Sequence, residues 1–112
     1  PIEARLAVAL CEVIGGWEIK SQFKIGRYTA DFAIRDVCEN PPPLVVVEAD
    51  GHDFHERTKE QAAHDKKRDR EIQAAGWTVL RFTGSEIWSD PVACANEVAR
   101  VVEAKNKAAV RK

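Results

Sequence analysis

A chain of 112 residues has room for one ordinary hydrophobic core, and residues 1–112 read as a single domain. Hydrophobic residues make up 45% and charged residues 31%, which excludes a disordered chain and describes a soluble globular one. The formal net charge of −1 excludes bulk basicity as a route to nucleic acid, leaving only a local patch.

No apolar run approaches the ~18 residues of a membrane span, so no membrane partner is expected. Cys11, Cys38 and Cys94 are widely spaced, form no CxxC, and read as reduced thiols of a cytoplasmic protein. No stretch reads as a signal peptide. The sequence starts at Pro1 and has no Met, so the expectation is a chain trimmed from a longer one.

In chain order, Ile2, Leu6, Ala9, Leu10 and Val13 fall at helical spacing, with Pro1 at the start and Gly15-Gly16 as the stop. Residues 17–25 alternate loosely and read as a strand, followed by a turn at Gly26-Arg27. From Tyr28 to Val37, Tyr28, Ala30, Phe32 and Ile34 alternate against Thr29, Asp31, Ala33 and Arg35 as the second strand of a hairpin. The segment CENPPP is a rigid loop that cannot pair in a sheet. Leu44 to Asp50 (LVVVEAD) has the apolar, β-branched look of a strand buried on both faces. A charged helix spans about 56–75 and is closed by Gly76. WTVLRF is a fourth strand, Thr83 to Glu86 a turn that also offers a helix cap, and a last helix starts at Asp90-Pro91 and frays into a basic tail from Lys105. The order is α-β-β-β-α-β-α, an α/β fold.

Carboxylates at the end of a buried strand are the costly feature. An ionised Glu or Asp loses several kcal/mol on burial unless it is paired or bound to a cation. Glu48 and Asp50 are two apart, so they share one face. Asp31 stands between Ala30 and Phe32 on the neighbouring strand. If these strands pair, the three converge, and like charges so close call for a cation. Oxygen-only donors favour Mg²⁺ or Mn²⁺. The plainer alternative is a solvated strand end that makes only caps and salt bridges.

Three histidines follow. His52 and His55 suit proton transfer near the metal, or a zinc site with His64 or Asp65; a polar loop with a surface His64 is the bland alternative. On the long helix, Thr58, Gln61, Asp65, Arg68, Ile72 and Ala75 form one stripe, which turns Asp65 and Arg68 inward with Ile72 and Ala75, a surface ion pair being the plainer alternative. Lys59, Lys66, Lys67 and Arg70 lie off that stripe and suit a DNA backbone or a solvated face. The tryptophans read as core or rim.

An Asp on a hairpin strand, then a buried strand ending Glu-x-Asp-Gly, a polar helix and one more strand, resembles the PD-(D/E)XK, or restriction-endonuclease-like, superfamily. VVVEADG…HERT…D..R…AAGWTVLRF is similar in particular to the very-short-patch-repair-like endonucleases of bacteria. The resemblance implies a three-layer core with a mixed four-stranded sheet flanked by helices. It implies a metal-dependent DNA endonuclease that leaves 5′-phosphate and 3′-hydroxyl ends. Asp31 and Glu48 match the family's acidic metal ligands. Asp50 stands where many members carry Lys and matches the Asp of the Glu-x-Asp-Gly form. His55 matches a His after that motif, Asp65 and Arg68 a D-x-x-R, and Glu3 a helix-borne Glu. With no Lys at position 50, its role falls to His52, His55 or nearby lysines, with Arg68 meeting the phosphate. A domain this small has little surface for reading DNA, which calls for a homodimer, a partner protein or an additional DNA-binding domain. The rival readings are a DNA-binding or assembly module of the same fold without chemistry, and a zinc-stabilised interaction domain.

Overall fold

The computed structural model describes residues 2–35, 44–50 and 58–110. Helix α1 (Ile2–Ile14) leads into strands β1 (Glu18–Ile25), β2 (Tyr28–Arg35) and β3 (Leu44–Asp50). Helix α2 (Lys59–Ala74) crosses to β4 (Thr78–Thr83), and α3 (Gly84–Ser89) and α4 (Pro91–Val110) close the described chain. The sheet order is β1-β2-β3-β4. The first two pairings are antiparallel and β3–β4 is parallel, so the sheet is mixed and needs the α2 crossover.

Central strand β3 decides the layers. Val45, Val46 and Val47 are all fully buried, which requires cover on both faces. Val45 and Val47 pack with Phe32, Ile34, Leu6, Leu10, Ile87, Val98 and Val102, so α1, α3 and α4 cover one face. Val46 packs with Ala30, Ala33 and Ile72, so α2 covers the other. Each buried valine contributes roughly 1.5–3 kcal/mol, and this is the part of the chain that fixes where the carboxylates beyond it lie.

The expected element order is present with one addition. The turn after β4 is a short helix, α3, held by a capping box in which Thr83 and Glu86 each satisfy the other's backbone N–H. The same device starts α2, where Thr58 and Gln61 cap each other and delay the helix to Lys59. Gly76, at a φ of 101°, follows the cap residue Ala75. Because α2 has ended there, Ala75 is exposed and does not face the sheet as its place on the stripe suggested. Helix α4 begins with Asp90 accepting from the Ala93 N–H at 3.1 Å and continues to Val110, through part of the tail expected to fray.

The clean alternation of β2 also breaks. Phe32 and Ile34 join the cluster under α1 and α4, whereas Ala30 and Tyr28 join the one under α2. Strand β1 divides likewise, with Ile19 on the first side and Phe23 and Ile25 on the second. Gln22 lies between them at a φ of 50°, where the β1–β2 ladder steps from Ser21↔Phe32 to Phe23↔Ala30. The hairpin therefore changes face at Gln22 and Asp31. Irregularities of this kind re-aim a side chain at the cost of a ladder bond.

Candidate active site

Glu48 follows Val46 by two residues, so it shares the α2 face of β3. It is only 6% exposed, the buried charged residue among the described residues. Its partner comes from α2. Arg68 Nη2 donates to Glu48 Oε1 at 2.6 Å and to the Thr29 carbonyl at 2.8 Å. The Arg68 guanidinium also stands 5.6 Å from the Tyr28 ring centre, and Nη1 is 3.7 Å from Asp69. Asp31, at the face change of the hairpin, accepts the Ala49 N–H at Oδ2 (2.8 Å). That bond ties the Asp31 side chain to the strand that carries Glu48.

Asp31 is near enough to act on two other carboxyls, Glu48 on β3 and Glu3 on α1. Burial, the largest influence, holds Glu48 above the ordinary carboxylate range; Arg68 draws it back down and the Asp31 charge pushes it up. The Asp31 charge, then burial, raises Glu3, which is itself exposed. Asp50 is half-buried on the same face as Glu48, in register with Thr83 of β4.

These shifts have a pH signature. The Glu48 carboxyl titrates above its ordinary value of 4.5, so the folded state holds the extra proton just above that pH. The stability Glu48 contributes is complete below 4.5 and is lost as pH rises through its raised range. Glu18, bonded by Arg35, and Glu71, bonded by Tyr28 and Arg27, are lowered, so their contribution is lost only as pH falls below 4.5. In metal-free buffer, the melting temperature of Glu48→Gln should decline less than that of wild type between pH 4.5 and neutrality. Parallel melting curves for the two proteins would remove Glu48 from this role.

The other expected residues divide clearly. His52 and His55 lie outside the described residues. His64 is exposed on α2, as are Lys59, Lys66, Lys67 and Arg70. Asp65 is half-buried and lines an open cleft of about 400 Å³ with Lys59, Lys66, Asp69 and Arg81. Arg81 and Asp69 went unread in the sequence. Arg81 is the cross-strand neighbour of Glu48 on β4 and makes two bonds to Asp69, at 2.9 and 2.7 Å. Asp69 bonding, partly opposed by burial, holds Arg81 more firmly protonated, with the Glu48 and Asp65 charges adding to it. Consecutive Arg68 and Asp69 on α2 thus meet Glu48 and Arg81, side by side on the sheet, with charges matched pair by pair. The missed signal was a lone charge inside the apolar run TVLRF, the same signal that marked Asp31.

Among the described residues, no three His, Cys, Asp or Glu side chains are grouped to hold a metal. The structure brings Asp31 and Glu48 together, with Asp50 two residues beyond Glu48 on the same face of β3. Two adjacent carboxylates still fit a hard cation, since Mg²⁺ is usually held by one or two carboxylates and keeps several waters.

The profile of the family described as REase_MTES_1575 matches residues 3–102. The chain belongs to this restriction-endonuclease-like family. The REase_MTES_1575 match takes in α1, all four strands and most of α4, and so every described residue of the site. The very-short-patch-repair likeness rests on the motifs alone. The chain is also similar to "Uncharacterized protein YcjD" of Escherichia coli (strain K12), with 37% identity over 73 residues, 63% of this chain and 52% of the relative. It therefore spans about half the length of that curated relative. Among the described residues, no helix is long and apolar enough to cross a membrane.

Proposed function

We propose that this member of the family is a metal-dependent endonuclease that hydrolyses phosphodiester bonds in DNA. The observation that carries this reading is the buried Glu48 beside Asp31, two carboxylates brought together from neighbouring strands of the sheet. Asp31 and Glu48 would hold Mg²⁺ or Mn²⁺, with Asp50 near by. When bound, the ion supplies a Lewis acid for a phosphate oxygen and lowers the pKa of an attacking water.

The chain's own groups supply the rest. The Ala49 N–H fixes the Asp31 carboxylate, and Arg68 favours the ionised form of Glu48 against burial and orients it inside the sheet. Arg68 also offers donors to a phosphate, where bidentate contact offsets charge developing at phosphorus. His55 or His52 takes the proton of the attacking water and returns it to the leaving oxygen. Glu3 and Asp65 flank the site as supporting charges. By family analogy the products carry a 5′-phosphate and a 3′-hydroxyl. A homodimer, a partner protein or a further DNA-binding domain would complete substrate recognition.

The test is nicking of supercoiled plasmid with Mg²⁺, Mn²⁺ or EDTA. Nicking with either ion and none with EDTA is the expected result. The fold-retaining binding module is the second reading, favoured by the Arg68 bond that already neutralises Glu48 and by Asp50 in place of Lys. Gel-shifted DNA with no nicking under any divalent ion would select it.

Lys59, Lys66, Lys67 and Arg70 give α2 an exposed basic face that suits a DNA backbone. Replacing any one with Ala should weaken binding to all sequences alike and flatten the log K against log salt slope by roughly one unit. Fluorescence anisotropy at several salt concentrations measures this. An unchanged slope would return these side chains to plain solvation.

A further inference from the structure

Arg68 is the cation paired with Glu48, one of the two carboxylates that would hold the ion. Its Nη2 lies 2.6 Å from Glu48 Oε1, and the two side chains are only 13% and 8% exposed, so little water screens them. Its other contacts are weaker attachments: the neutral Thr29 carbonyl, the face of Tyr28, and Asp69 at 3.7 Å. Asp69 is itself engaged with Arg81. Glu48 is therefore the one close ionic partner of Arg68 among these contacts. A divalent ion on Glu48 would set its two positive charges directly beside the Arg68 guanidinium, at a carboxylate sheltered from solvent.

We propose that the Arg68 guanidinium and the divalent ion exclude each other at Glu48, so that entry of the ion releases Arg68 toward an incoming phosphate. This rests on the metal reading given above. Before the ion enters, Glu48 is kept paired by the protein's own arginine, and the ion is admitted by exchange. Release would leave Arg68 beside the Tyr28 face and the Thr29 carbonyl, with its donors free for a phosphate. Arg68 would then serve two partners in turn, and binding of the ion and of DNA would reinforce each other through it.

Mn²⁺ binding without DNA, followed by calorimetry on wild type, Arg68→Gln and Arg68→Lys, tests the exchange. Removing the competing charge should tighten Mn²⁺ binding about tenfold in Arg68→Gln, with Arg68→Lys close to wild type. Equal or weaker binding by a folded Arg68→Gln overturns the exchange and leaves the metal site standing. No Mn²⁺ bound by any of the three overturns the metal reading and the exchange with it. A second measurement needs no variant. In wild type, rotation of the Arg68 guanidinium, slowed by Glu48 and Thr29, should quicken on titration with Mg²⁺ in side-chain NMR. An unchanged rotation at saturating Mg²⁺ counts against the exchange even if Arg68→Gln fails to fold.

Discussion

Asp31→Asn and Glu48→Gln are each expected to lower plasmid nicking by roughly a thousandfold or more, while far-ultraviolet circular dichroism shows the fold retained. The magnitude follows from the charge the site must stabilise. A bound dication contributes several kcal/mol at the transition state, and ~1.4 kcal/mol is a factor of ten in rate. Each amide removes one of the two carboxylates that would hold the ion. The amides keep shape and volume, so the Asp31→Asn protein retains a carbonyl oxygen for the Ala49 N–H that Asp31 accepts at 2.8 Å. The Glu48→Gln protein retains an oxygen for Arg68. A variant keeping a tenth of wild-type nicking would remove its carboxylate from the chemistry. Excess Mn²⁺ should recover part of the loss in Asp31→Asn, since that loss is one of affinity as well as rate.

Arg68→Ala is expected to cost stability on the scale of roughly 3–5 kcal/mol at neutral pH, the range for leaving one member of a buried pair uncompensated. Glu48 would remain in the sheet next to Asp31 with burial and a like charge both acting against its ionisation. For a domain of this length, the melting temperature should fall by well over about 10 °C. The loss should shrink in acid, where Glu48 takes a proton. A double variant, Arg68→Met with Glu48→Leu, should recover most of it, because a packed apolar pair needs no partner for a stranded charge. Urea unfolding of wild type, Arg68→Ala and the double variant measures all three. A loss under ~1 kcal/mol in Arg68→Ala would reduce the pair to an ordinary surface contact.

What could be read from the residues depended on how local the signal was. The run Val45 to Val47 announced a strand covered on both faces, and Glu48 after it announced a charge needing a partner. The stripe on α2 turned Arg68 inward correctly, because three- and four-residue spacing survives packing. It failed at Ala75, where the helix ends and the spacing no longer applies. The alternation of Tyr28, Ala30, Phe32 and Ile34 was real in sequence and divided in space. Nothing in those residues declares that Gln22 on the other strand takes a left-handed φ. Asp69 and Arg81 were invisible for a different reason. Each is an ordinary charge until the parallel register sets Arg81 beside Glu48, and that register is a long-range fact. The helix α3 was hidden by its length, although both halves of its capping box stood in the sequence as Thr83 and Glu86.

The mixed sheet has a consequence for how the site comes into being. Hairpin β1–β2 and the β2–β3 pair join neighbouring strands, so their contacts close over short stretches of chain. The parallel β3–β4 pair closes only after α2 has crossed over, and such non-local closure is slow. Arg68 rides on that crossover. Asp31 and Glu48 are therefore expected to meet first and to receive their guanidinium afterwards. On a ribosome the same order is imposed by synthesis, since both acids emerge before α2 and β4. For that interval the nascent sheet carries two adjacent carboxylates and an unpaired β3 edge. Docking of α2 and β4 then does two things: β4 pairs along the β3 edge, and Arg68 meets Glu48.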